Sequence, residues 1–234
     1  MYIDIIETAG NIKKEKIENK IVVIIDVLRA TSVMVTALAN GVKSIYPYEK
    51  VEEVLEYSKG DKKALLCGER KGLKIDGFDC GNSPLEYLSK DIKDKNMYMT
   101  TSNGTRAIKN SSGAKRIYIA SFLNINKVVE KLLEDNEDVV IVCSGTDDNF
   151  SLDDALCAGE IIKRIFQLKK VKLSDMAITL RLISVNSLSI DKTLEDTKHY
   201  NYLKSIGFIE DIKHCFTMDK YDIIPIYREE KIEL

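Results

Sequence analysis

The run Ile21–Ile25 (IVVII), which ends at Asp26, constrains this chain more than any other feature. Every position is apolar, so the run lacks the alternation of a strand with one wet face and has to be covered on both sides. The segment that follows, VLRATSVMVTALANG, has a helical pattern closed by Asn40-Gly41. The same alternation then continues. VKSIYPY, ALLCGER, NMYMTTS, RIYIAS and DVVIVCS read as strands. VEEVLEYSKG, GTRAIKN, NKVVEKLLED and SLDDALCAGEIIKRIFQL read as helices, with Val128, Val129, Leu132 and Leu133 on one face of the third. Strands alternating with helices predict an α/β fold with a mainly parallel or mixed sheet, helices on both faces and α/β/α layers. No linker divides residues 1–234, which form one unit with a core over 1–170 and a C-terminal flank over 171–234. In that flank TLEDTKHYNYLKSIG reads as a helix capped by Gly207, and DIIPIYREEKIEL as a late strand or arm. The flank is expected to pack on the sheet and close over the site.

Composition narrows the partners. Hydrophobic residues make up 44% and charged residues 31% of 234, which suits a filled core under a charged surface. A formal net charge of -2 carries no basic excess for nucleic acid, so an anionic ligand has to be met by local positive groups and a metal. Five irregularly spaced cysteines without a CxxC pair argue for reduced thiols and a cytoplasmic setting, and with only two histidines they argue against a zinc site. The N-terminal residues lack a signal-peptide pattern, and no apolar stretch approaches the roughly 20 residues of a membrane span. Apolar sheet edges leave room for a homodimer.

Four polar turns sit at or near strand ends, where open α/β sheets bind ligands. Asp26 is placed to hold a hard cation such as Mg²⁺. Arg29 offers a fork of donors for phosphate or carboxylate, and Thr31 and Ser32 lie where a helix start presents amides to an anion. Simple helix capping is the plainer explanation of Asp26, Thr31 and Ser32, but it leaves Arg29 without a reason. In the second turn Ser102, Asn103, Gly104 and Thr105 form a cradle for an oxyanion, with Gly104 permitting close backbone approach. In the third, Glu69 completes a metal shell or acts as a base, Arg70 pairs with an anion, and Asn82 and Ser83 bind ligand oxygens or cap a helix beginning near Pro84. The long loop from Lys71 to Pro84 is expected to be ordered around Ile75 and Phe78. In the fourth, Ser144 and Gly145 repeat the small polar turn, and of Asp153 and Asp154 one caps the next helix while the other faces the metal. His199 and His214 are expected on helical faces without a direct chemical role.

Several phosphatase machines are missing. No cysteine has an arginine six positions on, and no GxxxxGK[ST] loop occurs. VVIID followed by VLRAT has Leu28 where a haloacid-dehalogenase motif carries its second aspartate. Taken in order, however, IDVLRATS, CGERKGLKIDGFDCGNSP, TTSNGTRAI and CSGTDDNFSLDDALCAG resemble the 2-phosphosulfolactate phosphatase (ComB) family over Asp26–Gly159. The resemblance implies a Mg²⁺-dependent phosphatase that turns 2-phosphosulfolactate into sulfolactate and phosphate, a step of coenzyme M biosynthesis. Our own assignment puts the metal on Asp26, Glu69 and Asp154 and the phosphoryl oxygens on the Ser102–Thr105 turn and the Thr31–Ser32 amides. Arg29 or Arg70 takes the sulfonate or carboxylate. Attack by water is preferred over an acyl-phosphate on Asp26. A phosphatase of another 2-hydroxy-acid phosphate remains open. So does a non-catalytic sensor of an anionic phosphorylated metabolite, but a sensor has no need of several carboxylates facing an anion.

Overall fold

In the computed structural model, which describes residues 1–89 and 91–234, the β-branched runs are strands and the amphipathic segments helices. In chain order these are β1 (Tyr2–Ile6), α1 (Lys14–Ile17), β2 (Ile21–Ile25), α2 (Ala30–Ala39), β3 (Ser44–Tyr48), α3 (Val51–Tyr57), β4 (Ala64–Arg70), β5 (Leu73–Lys74), α4 (Glu86–Ser89), β6 (Asn96–Thr100), α5 (Gly104–Asn110) and β7 (Arg116–Ala120). There follow α6 (Ile125–Asp135), β8 (Val139–Cys143), α7 (Leu152–Leu168), β9 (Lys172–Leu173), α8 (Asp175–Asn186), α9 (Ile190–Leu194), α10 (Lys198–Ser205), α11 (Ile209–Cys215), β10 (Ile226–Arg228) and β11 (Lys231–Glu233).

Among the described residues eleven strands form one mixed sheet in the order β5-β4-β6-β3-β11-β10-β7-β2-β8-β1-β9. Alternate residues of β2 feed opposite cores, Ile21, Val23 and Ile25 on one face and Val22 and Ile24 on the other. Helices α6 to α11 cover the first face, and α1, α2, α4 and α5 the second. All five residues of β2 are fully buried, each stabilising the fold by about 1.5–3 kcal/mol relative to exposure. That is why this strand alone dictates helices on both sides.

The C-terminal arm is not an outer flank. β10 pairs antiparallel with β7 (Ile226↔Tyr118), and β11 pairs antiparallel with β3 (Ile232↔Ile45), so the last hairpin joins two parallel blocks in the middle of the sheet. β9, at the start of the same flank, is an edge strand beside β1. The helix expected over TLEDTKHYNYLKSIG is broken into α9 and α10 by a turn at 195–197. Three successive antiparallel pairings mean that β3, β6 and β4 run opposite to β7, β2, β8 and β1. The C-terminal ends of β2 and β6 therefore do not lie on one simple sheet edge. The twist accumulated over the five steps between them, roughly 20–25° each, turns the strand direction by more than a right angle, and the residues after the two strands line one cavity. The 71–84 loop is ordered: Asp79 and Cys80 both donate from their backbone N to Leu66 O, at 2.9 and 3.1 Å. No helix among the described residues is long and apolar enough to cross a membrane.

Candidate active site

Where β2 and β6 end, a cavity of about 1120 Å³ opens beneath α10. Asp26 lies in its wall immediately after β2, Glu69 at the end of β4, Ser102 and Asn103 after β6, and Asp153 in the first turn of α7. The reason α5 can come so near Asp26 is Gly104. A Cβ there would stand 2.8 Å from Asp26 Oδ2 and 2.6 Å from the Ala30 Cβ, so any side chain would push the carboxylate away. Asp26 Oδ1 accepts a hydrogen bond from Ala30 N at 3.1 Å. Burial pushes the Asp26 carboxyl up to about 7; the Ala30 amide opposes the rise, Asp153 adds to it, His199 opposes it and Glu69 adds to it. Glu69 is a brace between loops, its Oε1 accepting from Ser102 N at 2.8 Å and its Oε2 from Gly72 N at 2.7 Å.

The two neighbouring aspartates of α7 separate as helix geometry requires, since successive residues differ by about 100°. It is Asp153 that lines the cavity, with Ser151 Oγ donating to its Oδ1. Asp154 does not. Its Oδ1 accepts from Val27 N at 2.8 Å and its Oδ2 from Gly145 N at 3.0 Å, and burial raises its carboxyl well above the usual range. The expectation of Asp154 as a metal ligand is corrected to a buried clip between the turns that follow β2 and β8.

Several other expected ligand groups are engaged inside the protein. Arg29 borders the cavity, yet its Nη1 donates to Asp211 Oδ2 and its Nη2 to Gly72 O, both at 2.6 Å, and its guanidinium stacks 4.0 Å from the Phe208 ring. It is a strut to the C-terminal helices and not a free anion receptor. Ser83 Oγ donates to the other oxygen of Asp211 at 2.8 Å. Thr31 Oγ1 donates to Asp26 O and accepts from Asp26 N, at 2.9 and 3.0 Å. Thr105 makes the same stitch on Thr101, donating to its O at 3.0 Å and accepting from its N at 3.1 Å. Ser32 Oγ donates to Val27 O at 2.8 Å. Ser144 Oγ is buried away from the cavity, and Gly145, at φ +71°, is needed because a Cβ would stand 2.6 Å from Asn149 O. Thr31, Ser32, Ser83, Thr105, Ser144 and Gly145 thus shape the turns from within. Ser102, Asn103 and Asn82 do line the cavity, and the buried Asn82 Oδ1 has no hydrogen-bond partner among the described residues. Thr105→Val should remove the acceptor of the buried Thr101 amide and cost about 1–3 kcal/mol, seen as a lower melting temperature with KM unchanged. A raised KM at an unchanged melting temperature would mean that the hydroxyl reaches substrate.

Four groups on the wall were not assigned to the site from the sequence. Asp153 was one of the two aspartates of which one was expected to face the metal. His199, on α10, lines the cavity and donates from Nε2 to Leu28 O at 2.7 Å. Lys71 and Lys198 also line it and make no ion pair among the described residues. Helix phase brings His199 and Tyr202, three apart, to one side of α10, the one local signal that could have marked this helix as a cover.

Among the described residues no group of three or more His, Cys, Asp and Glu side chains is drawn together tightly enough to cage an ion. Mg²⁺, however, is ordinarily held by one or two carboxylates together with waters and substrate oxygens. Asp26 and Asp153, both on the cavity wall, are oxygen donors of that kind.

The sheet thus carries a deep cavity, walled by Asp26, Glu69 and Asp153 and covered by α10, of the kind in which an enzyme encloses a small ligand. The family model for 2-phosphosulpholactate phosphatase matches residues 6–230, so the chain belongs to that family, a family of phosphoric monoester hydrolases. A protein of Clostridium beijerinckii named probable 2-phosphosulfolactate phosphatase is 45% identical, covering 99% of both chains. Proteins with the same name from Clostridium novyi and Clostridium acetobutylicum are each 46% identical, covering 99% of this chain and 99% and 100% of their own.

Proposed function

We propose that this enzyme hydrolyses 2-phosphosulfolactate to sulfolactate and phosphate in the cavity beneath α10, with Mg²⁺ held by Asp26 and Asp153. The observation that carries the reading is Asp26 itself: a carboxyl on the cavity wall, raised to about 7 by burial, beside Asp153 and Glu69, where Gly104 lets the start of α5 close on it. Bound there, Mg²⁺ would neutralise phosphoryl charge that these carboxylates alone would repel. Glu69 fixes the Ser102 amide and so the course of the 101–103 loop, which offers Ser102 and Asn103 to the phosphoryl oxygens. Lys71 and Lys198 supply positive charge to a substrate bearing about four negative charges. α10 shields the reacting centre from bulk water. His199 keeps its Nε2 hydrogen on Leu28 O, which leaves Nδ1 to exchange a proton with the departing oxygen. Water adds to phosphorus, the P–O ester bond breaks, and the leaving oxygen ends protonated. With this substrate the reaction would serve coenzyme M biosynthesis, and a cytoplasmic setting suits five buried thiols.

The test is phosphate release from a panel of 2-phosphosulfolactate, 2-phospholactate, phosphoglycolate and p-nitrophenyl phosphate at saturating Mg²⁺. The reading expects 2-phosphosulfolactate to have the highest kcat/KM. A higher value for another 2-phospho acid would reassign the substrate, and no release from any would remove the activity.

A further inference from the structure

A second, smaller cavity of about 160 Å³ lies against the first and shares Thr101 and Ser102 with it; Glu49, Arg70 and Arg106 complete its wall. At ~30 Å³ per water it holds about five water molecules. That is room enough for one tetrahedral anion.

Its two guanidiniums are held differently from Arg29. Arg70, at the end of β4, is fixed by neutral oxygens: Nη1 donates to Glu69 O at 2.7 Å, and Nη2 to Glu49 O and Thr100 Oγ1, both at 3.0 Å. Its position is rigid, and no carboxylate among the described residues neutralises it. Arg106, on α5, reaches Asp148 through Nη1 at 3.1 Å and Nη2 at 2.5 Å, but its buried Nε finds no acceptor among the described residues. Asp148 is 52% exposed on the turn after β8, so water screens its hold on Arg106. Glu49, also exposed, is the other acid at this rim. The larger cavity gathers three carboxylates, Asp26, Glu69 and Asp153, on its wall, with Lys71 and Lys198 beside them.

The two compartments therefore suit different anions. A phosphate dianion ligates Mg²⁺ well and belongs with the carboxylates. A sulfonate is a weakly basic monoanion and a poor metal ligand, and three equivalent oxygens match guanidinium donors. Ser102, exposed and on both walls, marks the passage between them. We propose that the Arg70–Arg106 cavity receives the substrate's sulfonate and so determines which 2-phospho acid the enzyme accepts, with Arg106 the specificity-determining residue. This rests on the phosphatase reading above.

The experiment compares full-length wild type, Arg106→Gln and Asp148→Asn on 2-phosphosulfolactate and on 2-phospholactate, which has a methyl group in place of the sulfonated carbon. Arg106→Gln should raise KM for 2-phosphosulfolactate by about 10- to 100-fold, the loss of one or two charge-assisted hydrogen bonds, with kcat and KM for 2-phospholactate little changed. Asp148→Asn frees Arg106 from its counterion and should lower KM for the sulfonated substrate. A merely structural pair would make both variants behave alike. Equal KM increases on the two substrates, no change on either, or an Asp148→Asn effect matching that of Arg106→Gln would overturn the proposal. Thermal stabilisation by sulfolactate provides a reading independent of turnover, expected in wild type and lost in Arg106→Gln. If wild type releases no phosphate but keeps this difference, the phosphatase reading fails and the sulfonate site stands. If sulfolactate stabilises both proteins equally or neither, the site fails.

Discussion

Asp26→Asn is expected to cut phosphate release at least about 10³-fold while making the metal-free protein more stable above pH 7. The amide keeps an oxygen for Ala30 N, so the turn after β2 survives. What disappears is the charge that would hold Mg²⁺ and repel its neighbours. The Asp26 carboxyl stands at about 7, against an ordinary value of 3.8, chiefly because it is buried. Between those two pH values the folded protein binds more protons than the unfolded chain, so this group's contribution to metal-free stability is largest below about 4 and falls as pH rises towards 7. His214 acts in the opposite sense. Burial, helped by Lys220, pushes it down to about 4 from 6.5, so its contribution is present above 6.5 and lost as pH falls through 4. The two partly cancel in wild type. Subtracting the wild-type melting curve from that of Asp26→Asn removes the common His214 effect. In EDTA the difference should favour the variant by a few kcal/mol at pH 8 and close near pH 4. A variant with near-normal kcat, or one less stable than wild type at pH 8, would take Asp26 out of this role.

Asp211→Ala should carry the largest stability loss of any single substitution considered. Asp211 is 3% exposed and joins the C-terminal helices to both functional loops, through Arg29 at 2.6 Å and Ser83 at 2.8 Å. Removing it strands a guanidinium that is itself 2% exposed. Breaking one side of a buried pair costs about 3–5 kcal/mol, and for a domain of this size each kcal/mol is worth about 2–4 °C. A fall in melting temperature of roughly 6–20 °C follows. Activity should fall with it, because Arg29 also holds Gly72 O, and the Gly72 amide is tied to Glu69. A shift under about 2 °C would mean that the pair contributes little and that Arg29 is available to ligand after all.

How far the sequence could be read follows from where each decision is made. Ile21–Ile25 declares itself because a strand buried on both faces cannot carry a polar residue, and the alternation of elements after it follows in the same way. The hairpin β10–β11 declares itself only in part. Its residues, IYREEKIE, read as a late strand or an arm, and their place inside the sheet is set by long-range pairing with β7 and β3. At the site, the residues after β2 and β6 were legible as polar turns, but the roles of their side chains were not. Thr31 and Thr105 have the chemistry of ligand groups and serve as internal stitches, a choice made by the course of the backbone. Arg29 looked free because its partner lies 182 residues away. Asp153 and Asp154 are equivalent in composition, and only the rotation of α7 against the cavity separates them.

The most direct test of the central claim is a single rate: phosphate release from 2-phosphosulfolactate by the purified protein, measured with Mg²⁺, after EDTA, and after Mg²⁺ is restored. The expected result is release with Mg²⁺, loss with EDTA and full recovery. Release that continues unchanged in EDTA would contradict the metal assignment to Asp26 and Asp153, and no release under any of the three conditions would contradict the proposed activity itself.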